Sequence, residues 1–145
     1  MADPYKDKLK VSAIYSAKRS VAACFVAILD LRMEDRGLQL IVPQSRAVRQ
    51  GEVIEIISTS EAGAKPGGTV QTASYFGFAE VQCSGMILVG DQVRLGGETI
   101  ARVAGFDETH APNHINVVLS MDPARTGAEM CLAIEQEIEF AFKEV

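Results

Sequence analysis

Apolar and polar residues alternate with a period of two along much of the chain, and glycine cuts the alternation at short intervals. Side chains of a strand point to opposite faces in turn, so this pattern predicts short half-buried strands joined by tight turns. Candidate strands lie at residues 38–42, 52–57, 69–81, 86–89, 92–95, 99–106 and 114–120. In the second, Val53, Glu55 and Ile57 alternate with Glu52, Ile54 and Ile56. Residues 133–142 show the period most plainly: Ile134, Gln136, Ile138, Phe140 and Phe142 against Glu135, Glu137 and Glu139, a strand expected at an edge. Residues 21–32 are apolar almost throughout, which fits a buried strand or a helix; the turn-like Glu34-Asp35-Arg36-Gly37 behind them favours the strand. Gly77 is placed to bend the long run 69–81, and a short helix is expected at 126–131 after Asp122-Pro123. About nine strands with at most one or two short helices predict an all-β fold, a small antiparallel barrel, closed or nearly so, in one domain spanning 1–145.

Composition adds the size of the core. Of 145 residues 48% are apolar and 23% charged, enough to bury a core without metals or disulfides. Cys24, Cys83 and Cys131 are scattered among apolar neighbours without Cys-x-x-Cys spacing, so they are expected to be buried thiols in a reducing compartment. The N-terminal MADPYKDKLK is too polar for a signal peptide, and the nine apolar residues 21–29 are too few to span a bilayer. A cytoplasmic location without membrane partners is the expectation. Charge is uneven: residues 1–50 carry net +4 and residues 51–145 net −9. A net-acidic chain without a dense basic patch disfavours nucleic acid, and the opposed signs are consistent with a homo-oligomer.

The segment GMILVGDQVRLGGETIARVAGFD, residues 85–107, resembles the GD-box of small β-barrels and is similar to the second domain of translational elongation factors. That resemblance implies a barrel in which Gly90 and Asp91 form a tight turn, with Asp91 as its anchor. More widely, EDRGLQLIVPQSR (34–46) and VAGFDETHAPNHINVV (103–118) resemble a small bacterial and archaeal family known only as a domain of unknown function. It implies no activity and no catalytic residue.

Candidate chemistry gathers at residues 107–114, which hold both histidines, His110 and His114, with Asp107 and Glu108. Pro112 biases Ala111 away from the α region, so the histidines do not share a helix face and the segment reads as a loop. If strands 99–106 and 114–120 pair, Asp107 and His114 stand opposite one another, with Cβ atoms roughly 5 Å apart. A carboxylate so placed orients an imidazole for general-base work, His110 reaches a ligand from the loop tip, and Glu108 adds a second acid. Ile115, Val117 and Leu119 then face the core, sending His114 and Asn116 to the other face. Two alternatives stand beside this: a structural or interface loop in which Asp107 closes an Asx-turn, and a metal site of Asp107, His110 and His114. Arg36 and Arg46, with Arg49 near Pro43, are candidates for holding a carboxylate or phosphate, against ion pairing with Glu34, Asp35 or Glu52. Tyr75 and Phe76 must face opposite ways, so Tyr75 is a candidate ligand contact. The loop 63–69 lacks the order of a phosphate loop and reads as a hairpin that could cover a site.

The functional expectation is a small-molecule-binding barrel acting on a small anionic metabolite by metal-free and cofactor-free acid–base chemistry of the isomerase or lyase type. The alternatives are a non-catalytic oligomerising module and a metal-dependent enzyme.

Overall fold

Short β-branched runs between glycine turns produce eleven strands in the computed structural model, which describes residues 14–143. They are β1 (Val21–Met33), β2 (Leu38–Gln39), β3 (Ser45–Val48), β4 (Val53–Thr59), β5 (Thr69–Val70), β6 (Ala73–Val81), β7 (Gly85–Leu88), β8 (Gln92–Leu95), β9 (Glu98–Asp107), β10 (Asn116–Ser120) and β11 (Glu137–Ala141). Seven of them close a barrel in the order β1-β11-β8-β9-β10-β4-β6, while β2–β5 and β3–β7 form two small ribbons. The pairings around the barrel are antiparallel except β10 with β4, which is parallel and seals it. No described helix is long and apolar enough to cross a membrane.

The barrel is packed rather than hollow. Phe25, Phe76, Phe106 and Phe140 are fully buried in its interior with Ile54, Ile56, Val117 and Leu119. Each such side chain contributes about 2–3 kcal/mol by leaving water. A second apolar cluster lies on the outer wall, where Ile57, Tyr75, Ala104 and Val118 meet Leu38, Leu40 and Val70 from the β2–β5 ribbon. Tyr75 and Phe76 thus face opposite ways, Tyr75 outward. Gly105 admits the ribbon: a Cβ there would lie 3.0 Å from Leu40 Cδ1.

The Gly90-Asp91 turn forms as expected, with Leu88 N–H donating to Asp91 Oδ2 at 2.9 Å. Lys18 Nζ reaches the same oxygen at 3.0 Å and donates to Phe140 O, tying the segment before β1 to β11 and to the turn before β8. Burial pushes the Asp91 carboxyl up, opposed by the Leu88 N–H and Lys18.

Four expectations are corrected. Residues 69–81 divide into two strands, because Gln71 N–H and Thr72 N–H turn aside to donate to the Glu61 carboxylate. Residues 126–131 are no helix. Thr126 Oγ1 accepts from Glu129 N–H and Glu129 Oε1 accepts from Thr126 N–H, a reciprocal helix-start box, but the chain turns away at Cys131 with φ 56° after a single turn. Residues 133–142 give a strand of only five residues, since Glu135 takes φ 74° and Ile134 is exposed; β11 lies between β1 and β8 and is not an edge. The thiols are not uniformly buried: Cys83 and Cys131 are exposed, and Cys24 is half-buried.

Candidate functional site

Strand register places the polar residues of the site in one row on the outer wall. Asp107 pairs with Asn116, Asn116 with Glu55, and Glu55 with Phe78, so the four side chains share a face. Ile115, Val117 and Leu119 point inward from the same stretch, as alternation requires.

Asp107 does not stand opposite His114. It is fully buried, and its Oδ2 accepts from Gln39 N–H at 2.9 Å while Oδ1 accepts from Thr109 N–H at 2.9 Å and from Asn116 Nδ2 at 3.2 Å. Those bonds clamp β2 and the 108–114 loop to the end of β9. The Asx-turn reading describes Asp107, and Asn116, fully buried, supports it from β10.

The acid beside His114 is Glu55 of β4. His114 Nε2 lies 3.4 Å from Glu55 Oε1, with the side chains 13% and 9% exposed. That is ion-pair distance without good hydrogen-bond alignment. His114 Nδ1 is 3.0 Å from Asn113 Nδ2, an amide donor, which directs the ring proton of the neutral form to Nε2 and towards Glu55. Phe78 holds the ring edge-on at 5.2 Å between centroids. Burial pushes the Glu55 carboxyl up, and nearby His114, His110 and Arg36 pull it back in part.

A turn in which Asn113 N–H donates to His110 O brings the second imidazole over the first, with centroids 5.1 Å apart. His110 is exposed. Arg36, half-buried just before β2, completes the cluster: its Nε donates to the Tyr75 hydroxyl at 2.7 Å and its Nη2 lies 3.3 Å from His110 Nε2. A guanidinium only donates, so that ring nitrogen is the acceptor. Burial also pushes the Tyr75 hydroxyl up, with Arg36 opposing. The cluster thus runs from a buried carboxyl through one half-buried imidazole to a second imidazole and a guanidinium at the surface.

Other candidates lie apart from it. Glu108 is bound to Arg46, Nε to Oε2 at 3.2 Å, and Arg46 also approaches Glu52 at 3.9 Å. Arg46 and Arg49 line an open groove with Glu52, Pro112 and Asn113, the last of which also meets His114. Among the described residues no three His, Cys, Asp or Glu side chains converge as a metal-ligand set, since Asp107 turns away from both imidazoles. Glu55 is the residue that sequence reasoning missed. Its signal was present: a lone carboxylate within the apolar run Val53-Ile54-Glu55-Ile56-Ile57.

Glu55 gives a pH-dependent expectation. Its folded pKa is raised, so between the unfolded value near 4.5 and the folded one the native state holds more protons, and stability falls as pH rises through that window. Glu55→Gln removes this charge and is expected to flatten that fall. Melting temperature at pH 8 should rise by about 3 °C, corresponding to roughly 1 kcal/mol, as read by melts from pH 5 to 9. A variant less stable than wild type at every pH would contradict it.

Fold and site together define a closed all-β barrel carrying a two-histidine polar cluster on its outer wall. The chain belongs to a family of unknown function, DUF6917, whose model matches residues 15–141. No curated protein and no solved structure matches it.

Proposed function

We propose that the protein binds a small anionic molecule at the His110–His114–Arg36 cluster and moves a proton on it without a metal. The observation that carries this reading is the buried Glu55 carboxyl 3.4 Å from His114 Nε2, beside an Arg36–His110 pair open to solvent. A buried carboxylate is costly unless it is paired, and perturbed acids beside a histidine concentrate at functional sites. Arg36 and His110 supply donors for an oxyanion. His114, oriented by Glu55 at Nε2 and by the Asn113 amide at Nδ1, is the acid–base group, and Nδ1 exchanges the proton when the Asn113 amide turns aside. Tyr75 and Phe78 are positioning residues for Arg36 and His114.

The test is a thermal-shift and calorimetric screen of small carboxylates and phosphate esters against wild type, His114→Ala and Arg36→Gln. The ligand found should raise the wild-type melting temperature, and each substitution should weaken its binding about tenfold or more, a cost of roughly 1.4 kcal/mol, with little change in the unliganded melt. Equal binding by all three proteins sinks the reading.

A second reading, a self-associating module, draws on exposed apolar Leu31, Met33 and Ile134 and on the opposed charge of the chain's two parts. Light scattering across concentration and salt separates the two.

A further inference from the structure

Past the polar cluster, the outer wall continues as an apolar strip. Alternate residues of β1 point the same way as their β6 partners: Ala27 pairs with Phe78, Leu31 with Tyr75 and Met33 with Ala73. Leu29 lies between them and packs on the outer cluster. The β2–β5 ribbon covers the neighbouring part of this wall, but Leu31 remains 43% and Met33 40% exposed. Large apolar side chains left open side by side on a sheet face mark a surface that something apolar covers.

Two contacts join the strip to the cluster. Phe78 sits edge-on to His114 and beside Ala27 on the strip. The Tyr75 hydroxyl accepts from Arg36 Nε and is 3.8 Å from Met33 Sδ, so the guanidinium and the thioether flank one oxygen. A molecule whose charged end meets Arg36 and His110 therefore has apolar surface next to it in the direction of Met33 and Leu31. Charge complementarity fixes the sign of that end as negative, and the strip fixes the character of the rest.

The geometry points to an amphipathic monocarboxylate as the ligand, its carboxylate on Arg36 and His110 and its hydrocarbon part laid along Phe78, Leu31 and Met33. This rests on the anion-binding reading above and narrows its substrate class. A highly polar metabolite would leave the strip wet, and a dianion would leave its second charge over hydrocarbon.

The experiment titrates full-length protein with acetate, butyrate, hexanoate and octanoate, followed by NMR shifts of the two imidazoles and by calorimetry. Affinity should climb along the series, with octanoate about tenfold or more tighter than butyrate, less than full burial of the added methylenes would give. Leu31→Asn and Met33→Gln should each flatten the series, while melts and the acetate-induced shifts control for folding and for the head-group contact. Failure of every carboxylate, together with every phosphate ester, to perturb the imidazoles overturns the anion-binding reading itself. Carboxylates that bind with no gain from chain length overturn only the amphipathic assignment, as does a gain that survives both substitutions. A dimer that forms without carboxylate and is dispersed by Leu31→Asn gives the strip to a second copy and likewise overturns it.

Discussion

Gly77→Ala is expected to destabilise the barrel by about 4 kcal/mol, lowering its melting temperature by more than 10 °C by rough scaling for a domain of this size. Gly77 stands in β6 opposite Ile28 of β1, at the point where the β1–β6 and β4–β6 registers both slip. Its φ of 151° is a conformation that L side chains rarely adopt. A Cβ would also lie 2.1 Å from the Ala27 carbonyl oxygen. That neighbour is backbone within the barrel wall and has no rotamer by which to move aside. Gly97→Ala separates the two causes. Gly97 has φ 80°, but a Cβ there would meet nothing within 4 Å, so only conformational strain remains, about 1 kcal/mol. Urea melts of both variants should differ by about 3 kcal/mol; equal, small losses would mean that β1 and β6 are not held this close.

The same residue illustrates what was legible in the chain. A glycine inside an otherwise β-branched and aromatic run announces a break in the regular strand, and both ladders slip there. The tight turn at Gly96-Gly97 sets the β8–β9 hairpin, because a two-residue turn leaves a chain little freedom in register, and Gly90-Asp91 carries the chain from the β3–β7 ribbon into β8. Strand content followed from such local signals. The parallel seam between β4 and β10 did not, since its partners are more than fifty residues apart and nothing local couples them. The Thr126–Glu129 box shows the opposite failure, a correct local helix start overridden when Gly127 is drawn against β6, its N–H donating to Tyr75 O.

The site was legible to the same extent. The convergence of His110 and His114 follows from one short loop; Arg36 was a candidate for binding an anion together with Arg46, and its approach to His110 across 74 residues of chain had no local signal. The acid was not, because a register shift of two residues puts Asn116 rather than His114 across from Asp107 and hands His114 to a strand from elsewhere in the chain. Parity survives that shift, so the inward and outward sets on β10 are as alternation predicts while the partner is not.

That reassignment carries the second large prediction. Asp107→Ala is expected to cost about 3 kcal/mol and to loosen the loop holding both imidazoles, whereas His114→Ala should leave the unliganded fold nearly intact. Alanine at 107 removes the acceptor for Gln39 N–H, Thr109 N–H and the Asn116 amide at once. The Asn116 amide is fully buried, so water cannot easily make good the loss. Asp107→Asn should not rescue it: one of the two oxygens becomes an NH₂ that points a donor at a donor. If Asp107 were instead the general base, the order would reverse, with Asp107→Asn stable and unable to turn over substrate. Chemical denaturation of the three variants, with hydrogen exchange at Gln39 and Thr109, decides between these outcomes. A stable Asp107→Asn with both amides still protected would return Asp107 to the chemistry and remove Glu55 from it.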